Sequence, residues 1–346
     1  MTDSSALTAF AYGLPKAELH LHLEGTLEPE LKFELAARNG IELDEKTVEE
    51  VKATYDFTDL TSFLAVYYPA MRVLQTADDF HDLAWAYLLR AQEQGVVHAE
   101  MFFDPQAHTS RGVPFENVIT GYHLAAVRAG EELGISAELI LCFLRDFSAE
   151  DAAATLEAAL PYKDWIIGVG LDSDERDNPP SKFSEVFARA RAEGFRLTMH
   201  CDIDQVGSID NIRSVLNDIR VERIDHGTNI VEDPELVALA KERGLGFTCC
   251  PVSNSFVTEQ MKADEIVSLL RAGLRVMISS DDPAYFGAYV GDNYVALAEH
   301  AELSETDLVQ LAINSFEASW LTPDRKAAYI ERVGEYAVAR DVDLPS

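Results

Sequence analysis

Ala17-Glu18-Leu19-His20-Leu21-His22-Leu23-Glu24-Gly25, near the start of the chain, alternates apolar or small side chains with polar ones. That alternation is the pattern of a β-strand, in which residues two apart share a face. His20 and His22 therefore project together from the strand's C-terminal end. Outward from this run, seven more strand-like stretches follow, at 96–104, 136–144, 165–171, 196–201, 223–227, 246–250 and 275–280. Most are nearly continuous apolar runs that end in polar or charged residues, as strands covered by helices on both faces do. Segments with 3.6-residue periodicity lie between most of them, among them 149–160, 182–193, 209–219, 234–243 and 263–272, several followed by Gly. Eight such units in order predict an α/β fold, a (β/α)8 barrel.

The spacing is uneven. About seventy residues separate the first two strands, and segment 28–94 contains helical patterns such as 30–38 and 78–92. It reads as a helical excursion over the barrel mouth, and 293–340 reads as C-terminal helices. With no internal repeat, low-complexity tract or flexible linker, the 346 residues read as a single domain, 1–346.

The net charge of −32, from 28 basic and 60 acidic residues, repels phosphate backbones and anionic lipid surfaces. Nucleic acid and membrane are accordingly not expected partners. The four cysteines, Cys142, Cys201, Cys249 and Cys250, show no C-x-x-C spacing, which is the usage of a reducing compartment. The first residues lack a basic segment followed by a long apolar core, and no apolar stretch approaches the ~18 residues that cross a bilayer. These features read as a cytoplasmic protein; self-association is left open.

Barrel enzymes carry their catalytic groups where strands end at the C-terminal face. The first strand ends with His20 and His22. The fifth ends with Thr198-Met199-His200-Cys201-Asp202, the sixth with Ile224-Asp225-His226-Gly227, and the eighth with Ser279-Ser280-Asp281-Asp282-Pro283. Four of only nine histidines fall at these ends. Two histidines from one strand, a third from another and a carboxylate make a mononuclear site with room for water. A zinc-like ion lowers the pKa of such a water toward ~7. Asp281 is placed both to bind the metal and to accept a proton, and His226 to orient and stabilise charge without binding the metal. Cys201 should face the barrel wall, and Cys249 and Cys250 read as small buried apolar residues.

These motifs, together with Cys250-Pro251-Val252-Ser253-Asn254, resemble the adenosine/adenine deaminase branch of the amidohydrolase superfamily from about Pro15 to Phe316. The resemblance implies a zinc-dependent aminohydrolase with one Zn²⁺ per chain, which replaces the 6-amino group of a purine by oxygen. By match, His20, His22, His200 and Asp281 would bind zinc, and His226 would hold the activated water. Asp282 would hydrogen-bond a purine ring nitrogen. In Gly170-Leu171-Asp172-Ser173-Asp174-Glu175, Gly170 and Ser173 would contact the other side of the ring. The runs Asp281–Gly287, Asp104–Gly112 and Gly170–Pro180 are closer to the adenine deaminases, implying a free base or an N6-substituted adenine as substrate.

One departure stands out. The family pattern H-A-G-E carries a proton-donating Glu, whereas this chain reads His200-Cys201-Asp202-Ile203-Asp204, with Ile203 at the Glu position. A missing general acid would cost roughly 10²–10⁴-fold. Asp204, with Asp202 second, is the candidate replacement; alternatively both cap the helix that begins near Ser208. Two further functional readings stay open: the same chemistry on adenosine or another amino-heterocycle such as a pterin, and a purine-binding relative with weak or no turnover.

Overall fold

A computed structural model describes residues 4–201, 206–258 and 260–345. Eight parallel strands pair in sequence order: β1 (Lys16–Glu18), β2 (Val96–Phe103), β3 (Ser136–Leu144), β4 (Ile166–Asp172), β5 (Arg196–Cys201), β6 (Arg223–His226), β7 (Gly246–Cys249) and β8 (Arg275–Ile278). Helices between them complete the expected (β/α)8 barrel. The strands are buried almost throughout, in keeping with their continuous apolar runs.

β1 is far shorter than its sequence pattern. Beyond Glu18 the chain threads between β2 and the segment after β8 through single bridges, Leu21 with Asp281 and His22 with Phe102. His22 N–H donates to the Asp281 carbonyl at 3.0 Å, and Asp281 N–H donates to the His20 carbonyl at 3.1 Å. The seam that brings the first strand to the last thus runs through residues bearing candidate ligands.

The excursion after β1 comprises helices Pro29–Arg38, Val48–Lys52, Leu60–Ala70 and Ala77–Glu93. Leu60–Ala70 and Ala77–Glu93 start at capping boxes built on Asp59 and Thr76, which satisfy amides that a helix start leaves unpaired. After β8 come Val290–Ala301, Glu305–Ala318 and Pro323–Val338. The helix expected at 209–219 begins as α-helix, Ser208–Ser214, and ends in a π-helical turn, Val215–Ile219. Helix Ser4–Gly13 is absent from the sequence pattern; Tyr336, on the last helix, donates to the Phe10 carbonyl at 2.9 Å and sets its ring at a tilt against the Phe10 ring.

At the N-terminal end of the barrel a charged network crosses the interior. Arg223 Nη1 lies 2.5 Å from Glu100 Oε2, His98 Nε2 lies 3.1 Å from Glu100 Oε1, and the Trp320 backbone N–H also reaches that oxygen.

Candidate active site

The opposite end collects the histidines. His20 Nε2 lies 3.1 Å from Asp281 Oδ1, and His22 Nε2 lies 3.3 Å from the same oxygen. His22 Nε2 and His200 Nε2 are 3.2 Å apart. His226 Nε2 stands 3.6 Å from Asp281 Oδ2. All five side chains are buried. Side-by-side placement of the first two rings follows from the two-residue strand repeat, with ring centroids 5.5 Å apart.

The surrounding hydrogen bonds fix what these nitrogens carry. Thr248 donates its hydroxyl to Asp225 Oδ1 at 2.9 Å, so toward His20 Nδ1, 2.8 Å away, it acts as acceptor. Assigned from that network, the His20 proton sits on Nδ1, and Nε2 turns a bare lone pair toward a carboxylate oxygen. His22 Nδ1 faces Asp172 Oδ2 at 3.3 Å. Lone pairs aimed at an anion and at one another repel unless a proton or a metal cation lies between them. The donor set therefore fits a divalent metal bound through imidazole Nε2 and carboxylate oxygen, with Asp225 and Asp172 orienting the rings from behind.

The electrostatics separate the rings. Burial lowers the basicity of His22, but Asp282, Asp172 and Asp281 outweigh it and raise His22 well above the usual histidine range, as befits a ring whose nitrogens face carboxylates. Burial, and then the crowd of His20, His22 and His226, hold His200 well below the usual histidine range. Burial and His20 push His226 down to about 4. Both rings are neutral near pH 7, as a metal ligand or a hydrogen-bond acceptor must be. Burial raises the Asp281 carboxyl, but the histidines around it, His20 foremost, outweigh that and hold it well below its ordinary value. Burial and the adjacent Asp281 charge push Asp282 the other way, upward.

Backbone geometry delivers these groups. His226 has φ 59°, Asp281 67° and Ser173 75°, all in the left-handed region that costs non-glycine residues roughly 1–3 kcal/mol. Such strain persists where the surroundings over-determine it. Buried Glu18 accepts from the Ser280 N–H at 3.1 Å and from the Tyr87 hydroxyl at 2.7 Å, pinning the turn before Asp281. Ser253 donates to Asp281 Oδ2 at 2.6 Å. A Cβ on Gly25 would come within 2.1 Å of Asp282 Oδ1, so only glycine lets that carboxyl sit against the first turn after β1.

A cavity of about 190 Å³ opens onto the cluster. His22, His200, His226, Asp281, Asp282 and Ser173 line it, as do Phe63, Tyr67 and Tyr68 from helix Leu60–Ala70. Gly170 is not among the residues that line the cavity, and a Cβ there would meet Cys142 Sγ at 2.6 Å. The pocket wall on β4 is made by its end, Asp172 and Ser173. Asp202 and Asp204 lie outside the described residues. Cys201, Cys249 and Cys250 are buried, and burial pushes the Cys249 thiol up to about 12.

Sequence reasoning missed the roles of Asp104 and Asp172, buried carboxyls on the cavity wall; burial and then the Asp172 charge raise Asp104 well above the usual carboxylate range. Both close a strand at the C-terminal face, and that position was the available signal. It also missed Thr248 and Ser253, which carry no residue-type signature of a site.

The chain matches the adenosine deaminase family over residues 15–336. It belongs to the adenosine deaminase family. It is thus a hydrolytic deaminase built on an amidohydrolase-type barrel. An adenine deaminase of Geotalea uraniireducens is 52% identical over 93% of this chain and 91% of its own length. An uncharacterized deaminase of Schizosaccharomyces pombe is 50% identical over 99% of this chain and 100% of its own length. Among solved structures, the adenine deaminase of Arthrobacter aurescens superposes with a TM-score of 0.90 at 44% identity, covering 94% of this chain and 99% of that one. An amidohydrolase from Burkholderia ambifaria with bound Zn gives 0.88 at 28% identity, covering 99% and 96%.

Proposed function

We propose that this family member is a zinc-dependent deaminase of a free purine base, adenine or an N6-substituted adenine, releasing ammonia or an amine. The observation that carries the reading is a buried cluster in which His20 Nε2 and His22 Nε2 lie 3.1 and 3.3 Å from Asp281 Oδ1 and His22 Nε2 lies 3.2 Å from His200 Nε2. Relatives named adenine deaminase at about half identity support the substrate class. A cavity of about 190 Å³, below the roughly 300–1,000 Å³ typical of drug-sized ligands, suits a base better than a nucleoside.

His20, His22, His200 and Asp281 would hold the ion, which when bound supplies a water activated for attack near neutral pH. His226, neutral and short of contact with other protein donors at Nδ1, orients the attacking oxygen from beside Asp281. Asp281 Oδ2 takes the proton from that water, with Ser253 steadying the carboxylate. Asp282 Oδ1, buried without a partner, is available to a ring nitrogen of the base, and Ser173 Oγ, likewise unpartnered, to the ring's far edge. Proton donation to the ring falls to Asp204, or second to Asp202, both following His200 in the chain.

Ammonia or amine release from adenine, N6-methyladenine, adenosine and a pterin, with zinc-replete protein, tests the assignment. Turnover of adenine or N6-methyladenine at least tenfold more efficient than of adenosine and the pterin is expected. Preference for adenosine, or binding of adenine at full metal occupancy without turnover, overturns it.

A further inference from the structure

Far from the histidines, the N-terminal end of the barrel carries a second cavity, of about 580 Å³. It lies between the starts of β5 to β8 and the beginning of helix Pro323–Val338. Arg196, Arg220, Arg243, Arg275 and Lys326 line it, against only two carboxylates, Glu222 and Glu317. Five of the chain's 28 basic residues thus face one cavity in a molecule of net charge −32.

The two carboxylates do not neutralise this cluster. Glu222 accepts the Leu197 N–H at 2.8 Å, and Glu317 faces Arg275 Nε at 3.2 Å. Arg243 and Arg220 donate instead to neutral oxygens, those of Leu216 and Asn217. Lys326 Nζ donates to the Glu317 carbonyl, and burial together with the charges of Arg275 and Arg196 lowers its basicity, against opposing pulls from Glu100 and Glu317. The wall is built rather than fortuitous. Trp320 lines the cavity, with its ring under the fully buried Arg223 guanidinium at 4.3 Å and its indole N–H buried without a partner. Gly168 leaves room for that ring, since a Cβ there would come within 2.3 Å of it.

We propose that this cavity is a binding site for a small polyphosphorylated anion, distinct from the reaction centre. Guanidinium groups match phosphate oxygens two at a time, and several converging on one concave space define a multivalent anion site. The cavity volume admits a pyrophosphate-bearing metabolite as readily as pyrophosphate itself. Overall negative charge discourages loose anion binding elsewhere on the surface, which makes any saturable uptake informative.

The test is calorimetric titration of the full chain with inorganic pyrophosphate in low-salt, phosphate-free buffer, followed by ATP and orthophosphate. One pyrophosphate site per chain is expected. Affinity should fall at least tenfold in Arg196→Gln/Arg243→Gln, with deaminase turnover and thermal midpoint unchanged, and should be kept in Arg128→Gln, an exposed control. Lys326→Gln gives a second, independent loss if the double variant folds poorly. ATP competing with pyrophosphate identifies a nucleotide source, and pyrophosphate binding that ATP cannot displace identifies the inorganic ion; both uphold the site. Pyrophosphate bound instead at the metal would be insensitive to all these substitutions. Unchanged affinity in the variants, or no saturable binding below about 1 mM, overturns the proposal.

Discussion

The C-terminal end of the barrel gathers three histidine-bearing strand ends and Asp281, with imidazole lone pairs turned on a carboxylate. The N-terminal end of the same barrel gathers His98, Glu100 and Arg223, but there every contact joins a donor to an acceptor. Both clusters are buried. The N-terminal, closed end matches its carboxylate with Arg223, although Arg223 Nε and Nη2 make no hydrogen bond; the C-terminal, open end turns imidazole nitrogens on a carboxylate. Burial of polar groups costs the fold unless they are paired, so imidazoles crowded on one carboxylate persist only where function uses them. The left-handed backbones of Ser173, His226 and Asp281 sit on the open side for the same reason.

The contrast breaks most visibly if the open end loses its ligands. His20→Ala/His200→Ala should release the bound divalent metal and lower turnover at least about a thousandfold, the loss of several kcal/mol of charge stabilisation. Elemental analysis of dialysed protein beside an ammonia assay reads both; retained metal sinks the ligand assignment.

At the closed end the cost should appear in stability. Glu100→Gln removes the nearer countercharge of buried Arg223 and leaves only Asp225 Oδ1, 3.9 Å from its Nε; breaking such a pair costs about 3–5 kcal/mol. Denaturant unfolding monitored by Trp fluorescence should show it, with metal content per folded chain unchanged. The pH dependence has a definite sign. Burial pushes Glu100 up, but Arg223 and His98 outweigh it and hold the carboxyl at about 2, against an ordinary 4.5. The folded state therefore releases this proton more readily than the unfolded chain. Its contribution is full above pH 4.5 and fades as pH falls toward about 2, a fading the variant should lack.

His226→Ala sharpens the comparison within the open end. It should leave metal bound and slow turnover ~10²–10³-fold, the usual worth of one positioned electrostatic group. Metal loss together with activity would make His226 a ligand.

Smallest is the effect at the chain following His200. Asp204→Asn should lower turnover about a hundredfold, and Asp202→Asn only a few-fold, on the best substrate at equal metal content. Near-wild-type turnover in both removes the aspartate-donor reading.

The barrel was legible because its strands are buried on both faces, which writes long apolar runs into the chain, and seven of the eight strand readings fall within a residue or two of the observed limits. The first was over-read: alternation continues through Gly25, but paired ladder ends at Glu18 because the chain there bends across the closing seam. The histidines at strand ends were legible because residue type and position together are rare. Thr248, Ser253 and Asp172 were not, because a hydroxyl or carboxyl acquires its role only from the ring or oxygen that folding puts beside it.

The sequence by itself determined the barrel, its helical insertion and the identity of the chemistry-bearing strand ends, because period-two and period-3.6 patterns and residue type are local properties. Only the tertiary structure decided that His20 and His22 bring their Nε2 atoms to one Asp281 oxygen with His200 beside them, and that five scattered cations meet in one cavity at the far end. Those outcomes depend on contacts between residues tens to hundreds of positions apart, which closure of the barrel, not local pattern, brings together.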